Sequence, residues 1–132
     1  MVVRYGDLDA QGHVNNSRYL TYLEQGRVGY FIHLGLWDGH SFMDSGIILA
    51  DVHISFRAPI LLGQDIRVGV GIVRLGNKSL NFEQTIEDTP SGCIMASASV
   101  VLVAFDYRTQ QSIPIPAAWR KIIAKFESLP QN

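Results

Sequence analysis

The segment DLDAQGHVNN, residues 7–16, gathers reactive and hydrogen-bonding side chains directly in front of a helical pattern. Asp9 and His13 are the candidates for proton transfer, and a carboxylate can also act as a nucleophile. Asn15 and Asn16 stand where a helix would begin, and the first N–H groups of a helix lack intrahelical partners and can hold an oxyanion. Acidic residues before a helix are also common in caps and turns, and residue types alone favour that simpler interpretation.

The element that would position these groups is the helix that follows them. Apolar residues spaced three and four apart predict a helix from Asn16 to Leu34 with a wide apolar arc. Asn15 or Asn16 is the expected N-cap, and Gly35 is the expected C-terminal stop. The reactive segment would therefore lie at the N-terminal end of this helix.

Beyond residue 46 the apolar period changes to two, which is typical of strands. The predicted strands cover residues 47–58, 65–75, 78–88 and 93–107, with a short first strand at 2–5 and an amphipathic helix at 116–129. Short joints rich in turn residues predict an antiparallel meander, and the last long strand, apolar or small on both faces, is expected to be central. The pattern predicts a single α+β domain, residues 1–132, in which one sheet of about five strands covers one long helix.

Composition narrows the class of protein. The net charge is −1, from 11 basic and 12 acidic residues, which argues against a nucleic-acid binder. No apolar run is long enough for a membrane span or a signal peptide, and the lone Cys93 fits a reducing compartment, so a cytoplasmic location is expected. Histidines and the cysteine lack metal-ligand spacing, so no metal site is predicted. The apolar share of 47% suggests that a partner covers some apolar surface.

Four segments together carry a family resemblance over about residues 3 to 120: YGDLDAQGHVNNSRYLTYLEQGR, VHISFRAPILLGQDIRV, RLGNKSLNFEQTI and ASASVVLVAFDYRTQQSIPIP. In this order they resemble the hotdog-fold acyl-CoA thioesterases of the 4-hydroxybenzoyl-CoA thioesterase type. The resemblance implies a central helix wrapped by an antiparallel sheet. It also implies homodimers joined edge to edge, often paired into homotetramers, with active sites at the dimer interface.

The predicted reaction is hydrolysis of an acyl-CoA, or of an acyl carrier protein thioester, to the free acid and the thiol. The resemblance assigns roles within the first segment. It implies that Asp9 is the catalytic carboxylate and that a backbone N–H near Asn15 and Asn16 is the oxyanion donor, with Gly12 letting the chain bend between them. Relatives carry either histidine or an aliphatic residue at the position of His13, so its role is less clearly implied. A thioester has a weakly stabilised carbonyl and a good leaving group, so hydrolysis needs mainly a base or nucleophile and an oxyanion site.

Candidate substrate contacts lie further along the chain. Tyr19 and Glu24 share the predicted helix, where Glu24 is either a structural acid or a group near the interface. Arg57, Lys78 and Ser79 could contact the phosphates or the pantetheine arm of coenzyme A, since phosphates favour Lys and Arg. The alternative for Lys78 and Ser79 is a solvated hairpin. No cofactor is predicted, because coenzyme A would enter as part of the substrate.

Two other functions fit parts of the pattern. The first is a hydratase or dehydratase of acyl thioesters on the same architecture. Asp9 and His13 have three residues between them, whereas the motif of those enzymes has four and a different proline-containing context. The second is a non-catalytic acyl-CoA binder, against which the presence of Asp9 argues mildly.

Overall fold

The computed structural model describes residues 1–8, 14, 16–37 and 46–130. Within these residues the chain forms two α-helices and one five-stranded sheet. The helices are α1 (Asn16–His33) and α2 (Ala117–Glu127). The strands are β1 (Gly46–Phe56), β2 (Ile66–Leu75), β3 (Ser79–Asp88), β4 (Ile94–Asp106) and β5 (Gln111–Ser112).

The sheet is antiparallel throughout and has the order β1-β4-β3-β2, with β5 pairing to β4. Strands β2, β3 and β4 form the predicted meander, and β4 is central as predicted. β1 does not pair with its neighbour in sequence, β2, as a complete meander would require. It pairs with β4 instead, with Ile54 opposite Ala98 and Val52 opposite Val100.

The prediction of a first strand at residues 2–5 is wrong. Val2 makes only an isolated bridge to Asp65, and the chain then forms a 3-10 turn over Tyr5–Asp7. The fifth strand of the sheet is the two-residue β5, which follows β4. It has too few residues to show an alternation of apolar and polar side chains. The predicted number of about five strands is therefore matched by a different set of strands.

Helix α1 ends where the sequence predicts. Gly35 has a φ of +73°, a left-handed conformation that glycine adopts without the steric cost of a side chain. Its N–H donates to the Ile32 carbonyl at 3.0 Å, and the Leu36 N–H donates to the Phe31 carbonyl at 2.9 Å. This pair of bonds is the Schellman arrangement, which satisfies carbonyl groups left free at a helix end.

The core lies between the two helices and one face of the sheet. Phe31 of α1, Phe82 of β3 and Trp119 of α2 pack together, with ring centroids 6.0 Å apart for the two phenylalanines and 5.8 Å apart for Phe31 and Trp119. α1 packs mainly against β2 and β3. Gly26 makes this approach close, because a Cβ atom there would lie 2.6 Å from Cγ1 of Val68.

These elements confirm the predicted mixed α+β class, its antiparallel sheet and its short C-terminal helix. Neither helix in the described ranges combines the length and apolarity that crossing a bilayer requires.

Candidate active site

Two described residues hold the chain on either side of the reactive segment. Leu8 and Val14 form an antiparallel bridge, so the residues before and after the segment between them lie side by side. The Val14 N–H donates to the Ile60 carbonyl at 2.9 Å, and both residues are buried. α1 begins two residues later at Asn16. Four predicted site residues lie outside the described residues: Asp9, Gly12, His13 and Asn15.

Asp7 fixes the entry to this segment. Its carboxylate is 3% exposed and accepts a hydrogen bond from the Arg4 backbone N–H at 3.0 Å. Arg18 of α1 lies 3.8 Å from its other oxygen and so ties the 3-10 turn to the first turn of the helix. Burial acts to raise the Asp7 pKa, but the hydrogen bond, the nearby Tyr22 hydroxyl and the two arginines outweigh it and hold the pKa below its ordinary value. Asp7 therefore holds the 3-10 turn against the first turn of α1.

The Tyr22 hydroxyl lies buried beside the same carboxylate. Burial and the negative charge of Asp7 raise the pKa of Tyr22 well above its ordinary value, so the phenol stays protonated. Within the described part of the chain this hydroxyl finds no partner of normal hydrogen-bond geometry. Its contact with the Asp7 carboxylate is therefore electrostatic.

Tyr19 anchors the first turn of α1 to the sheet and to the loop at Ile60. Its ring meets Phe56 of β1 edge-on with centroids 4.8 Å apart, and the side chain is 3% exposed. Burial raises the pKa of Tyr19, partly offset by a hydrogen bond with the backbone of Ile60. Within one chain this predicted substrate contact is thus a core residue that packs the first turn of α1 against β1.

The first turn of α1 carries no negatively charged side chain that would neutralise the helix dipole. Asn16, its first residue, is exposed, and the first turn contains no acidic side chain. The first N–H groups of a helix have no intrahelical partners and carry the positive end of the helix dipole. This end of α1 can therefore accept a carbonyl oxygen that becomes negative during a reaction.

The predicted phosphate contacts divide between two ends of the sheet. The Arg57 N–H donates to the Met95 carbonyl, whereas the Lys78 carbonyl accepts from the Ala104 N–H. Met95 and Ala104 are nine residue steps apart along β4, which corresponds to about 30 Å at the rise of a strand. Arg57 follows Phe56 and so lies at the end where α1 begins, while Lys78 and Ser79 lie at the other end. One chain does not bring Arg57 and Lys78 together.

Local contacts of the two basic side chains are weak. Arg57 is exposed, and its Nη2 lies 3.5 Å from Oγ of Ser97. The Lys78 ammonium is exposed and lies 3.2 Å from Oγ of Ser112. Both side chains are thus able to meet a phosphate without breaking a strong bond.

A cavity of about 320 Å³ lies further along α1, between that helix and β1. Glu24, which is exposed, lines it together with Arg27 and Val28. The remaining wall consists of Phe31, Ile47, Ile48, Leu49, Leu102 and Tyr107.

Two residues of this region, Arg27 and Gln84, were not predicted from the sequence. Arg27 is 9% exposed and Gln84 is 2% exposed, and the Arg27 Nη1 donates to the Gln84 Oε1 at 3.0 Å. Gln84 in turn donates to the Leu23 carbonyl at 2.9 Å. No described carboxylate lies within 4 Å of Arg27, and burial lowers its pKa. The available signal was Gln84 itself, a polar residue in the apolar register of β3.

No metal centre emerges from the described ranges, which contain no group of three or more His, Cys, Asp or Glu side chains placed to hold an ion.

Comparison with known proteins supports the class that the fold and the helix start suggest. A family model described as the thioesterase-like superfamily matches residues 3–123. FadM, a long-chain acyl-CoA thioesterase of Escherichia coli, is 29% identical over 128 residues, which cover 90% of each chain. A thioesterase of Thermus thermophilus, crystallised with coenzyme A and zinc, is 35% identical with a TM-score of 0.83, over 98% of this chain and 93% of that one. The PA2801 protein of Pseudomonas aeruginosa is 31% identical with a TM-score of 0.83, over 94% and 95%.

This chain belongs to the thioesterase-like superfamily. The predicted resemblance is thereby confirmed at the level of the superfamily.

Proposed function

We propose that this protein hydrolyses an acyl-CoA thioester to the free acid and the thiol, with Asp9 supplying the base or nucleophile and the start of α1 holding the oxyanion. The activity class is the part that the comparisons confirm, since FadM is a long-chain acyl-CoA thioesterase and the Thermus thermophilus relative is a thioesterase, and both cover most of the chain. The bound coenzyme A in one of these relatives supports an acyl-CoA ligand.

The observation that carries the proposed mechanism is the Leu8–Val14 bridge beside the start of α1. Asp9 follows Leu8 directly, and the first helical residue follows Val14 by two, so a carboxylate and the unpaired N–H groups belong to one short stretch of chain. A base or nucleophile beside an oxyanion site is what thioester hydrolysis requires. One oxyanion donor contributes about 3 kcal/mol to lowering the barrier.

Two chemical routes follow from this arrangement. As a general base, Asp9 takes a proton from water, which attacks the thioester carbonyl and expels the thiolate. As a nucleophile, Asp9 attacks the carbonyl itself, expels the thiolate and leaves a mixed anhydride that water then hydrolyses. In both routes the N–H groups of α1 stabilise the tetrahedral oxyanion, and no cofactor is needed. Arg57 lies at the same end of the sheet and is the basic residue we favour for the coenzyme A phosphates.

The proposal includes the finer features that the resemblance implies: the 4-hydroxybenzoyl-CoA thioesterase type, a sheet wrapped around α1, a cytoplasmic location and a homodimer or homotetramer. One feature of the sheet supports pairing through β1. In the described ranges no strand pairs with its outer edge, and Leu49 and Phe56 are each 50% exposed. An open edge that carries exposed apolar residues is a ready template for a second chain.

Thiol release from a panel of acyl-CoAs tests the activity, with Asp9→Asn as the variant. Loss of the carboxylate is expected to lower kcat by about 100-fold or more. Asp65→Asn is the matched control, since among the described residues this exposed carboxylate contacts only the N-terminal amine, at 3.5 Å. Near-native kcat/KM in Asp9→Asn, with an unchanged melting temperature, would show that Asp9 is not the catalyst.

The same panel separates the rival functions. A hydratase would change the absorbance of an enoyl-CoA without releasing thiol. A non-catalytic binder would bind acyl-CoA tightly and release no thiol from any ester.

A further inference from the structure

We infer that the outward face of α2, together with the turn between β2 and β3, docks the protein on an anionic membrane surface. The partner is a bilayer whose phosphate headgroups carry net negative charge. This inference goes beyond the proposed hydrolysis, because the turn lies at the end of the sheet opposite Arg57 and the start of α1.

Positive charge is concentrated in two segments that pack together. Residues 71–82 and 107–126 contain no Asp or Glu, yet they carry six of the 11 basic residues of the chain. Arg120 of α2 joins the two segments, because its Nη2 donates to the Gly76 carbonyl at 2.6 Å and to the Asn77 carbonyl at 3.3 Å. The basic surface comprises the five of these residues that lie beside the turn or on α2: Arg74, Lys78, Arg120, Lys121 and Lys125.

The carboxylate nearest to this surface in sequence points away from it. Glu127 accepts hydrogen bonds from the Ile72 N–H and the Tyr30 hydroxyl, so it faces the edge of β2 and the core. Among the described residues no carboxylate lies within 4 Å of Lys121 or Lys125. Both ammonium groups are therefore available to an anionic partner.

Apolar side chains stand beside these lysines on the same helix. Ile122 and Phe126 are 38% and 51% exposed, and they are four residues apart, as are Lys121 and Lys125. Because residues four apart lie one above the other on a helix, the outward face carries an apolar row next to a lysine row. The inward face is already packed in the core and consists of Trp119, Ile123 and Ala124.

A bilayer interface matches both rows at once. Phosphate groups attract the ammonium groups of Lys121 and Lys125, while Ile122 and Phe126 enter the apolar layer just beneath. The long apolar stems of lysine allow this, since they cross the same depth while their charges stay among the headgroups. A soluble polyanion such as a nucleic acid would meet the lysines through its phosphates but would leave the apolar row in water.

The strand next to the helix adds a recess for a headgroup. A cavity of about 310 Å³ lies between the end of β2 and the residues that follow α2. Arg74 lines this cavity, and a guanidinium pairs well with a phosphate. Clusters of this size on an amphipathic helix are typical of proteins that bind anionic lipids.

Vesicle sedimentation tests this inference. The full chain is mixed with vesicles of phosphatidylcholine alone or of equal parts phosphatidylcholine and phosphatidylglycerol. Each basic residue near an anionic surface strengthens binding about fivefold, so binding should require phosphatidylglycerol and weaken as salt is added. The double variant Lys121→Gln/Lys125→Gln should lose about 25-fold in affinity. Ile122→Gln should lose about threefold, because it withdraws a partly exposed apolar side chain from the interface.

Arg67→Gln is the matched control. Arg67 is exposed near the other end of β2, and its charge is already paired with Glu87 at 2.9 Å. This variant should change affinity for the mixed vesicles by less than about twofold. Thiol release from a soluble acyl-CoA without vesicles should be the same in all of these variants, so failure of the proposed function and failure of this inference are separate results.

Several results would overturn the inference. Equal binding to the two kinds of vesicle would do so, and so would unchanged binding of the double variant. Binding to heparin without binding to the mixed vesicles would assign the basic surface to a soluble acidic macromolecule. Unchanged binding of Ile122→Gln would show adsorption by charge alone, without docking of the apolar row. If the double variant melts at a lower temperature, Lys121→Glu repeats the charge test and should also lose about 25-fold.

Discussion

Two glycines in α1 offer a sharp test of how closely the helix approaches the sheet. A Cβ atom on Gly26 would lie 2.6 Å from Cγ1 of Val68 and 3.0 Å from Cγ2 of Val70. A Cβ atom on Gly29, three residues later, would meet no heavy atom within 4 Å. The same substitution, Gly to Ala, should therefore have opposite effects at the two sites.

The magnitudes follow from two opposing terms. Replacing a helical glycine with alanine stabilises by about 1 kcal/mol through helix propensity, and Gly29→Ala should gain that amount. Gly26→Ala gains the same term but overpacks the interface, which costs about 1–3 kcal/mol because a valine in a strand has little freedom to move. We expect a net loss of about 1 kcal/mol for Gly26→Ala, so the two variants should differ by about 2 kcal/mol.

Urea unfolding followed by circular dichroism measures this difference, at one fixed protein concentration because association adds to apparent stability. The melting temperatures should differ by about 8 °C for a chain of this size. If Gly26→Ala stabilises the protein as much as Gly29→Ala does, α1 does not lie as close to β2 as described.

Two further predictions concern carboxylates. Asp7→Asn should lower the free energy of unfolding by about 1–3 kcal/mol at pH 7, because a buried acceptor of the Arg4 N–H loses its charge. The folded-state pKa of Asp7 lies below its ordinary 3.8. The contribution of its charge to stability is therefore present above pH 3.8 and is lost as the pH falls through the folded-state pKa. Urea titrations should show that the free energies of unfolding of the two proteins are closer at pH 3 than at pH 7. Glu127 accepts hydrogen bonds from the Ile72 N–H at 2.5 Å and the Tyr30 hydroxyl at 3.1 Å, so Glu127→Gln should destabilise by about 1–2 kcal/mol and speed amide exchange at Ile72. Lys125→Gln on the same helix should leave that exchange unchanged, and equal rates in all three proteins would mean that Glu127 does not hold the strand.

Local elements of the fold could be predicted from the sequence because their signals are local. The helix from residue 16 and its stop at Gly35 follow from apolar spacing and from a glycine that adopts positive φ. The four long strands begin and end within two residues of the predicted bounds, since alternation defines them. The pairing of β1 with β4 could not be predicted, because no local pattern records which distant strand is the neighbour.

The candidate site residues likewise divide into those with contacts close in sequence and those with contacts distant in sequence. The contact of Asp7 with Arg4 is local, whereas the separation of Arg57 from Lys78 depends on strand register across the whole sheet. Arg27 was missed because its partner, Gln84, is 57 residues away. The roles of four site residues stay predictions that rest on the family resemblance and on the positions of their described neighbours, Leu8, Val14 and Asn16. These four residues are Asp9, Gly12, His13 and Asn15.

The two edges of the sheet differ in whether other described parts of the chain form hydrogen bonds with them. On β2 the edge is contacted at two points: Met1 exchanges backbone hydrogen bonds with Ile66, and the Glu127 carboxylate accepts from the N–H of Ile72. On β1 the described residues leave the edge free. If the proposed homodimer joins two copies through β1, the edges that remain are the two β2 edges, each partly covered in this way, which opposes growth of the sheet into a fibre.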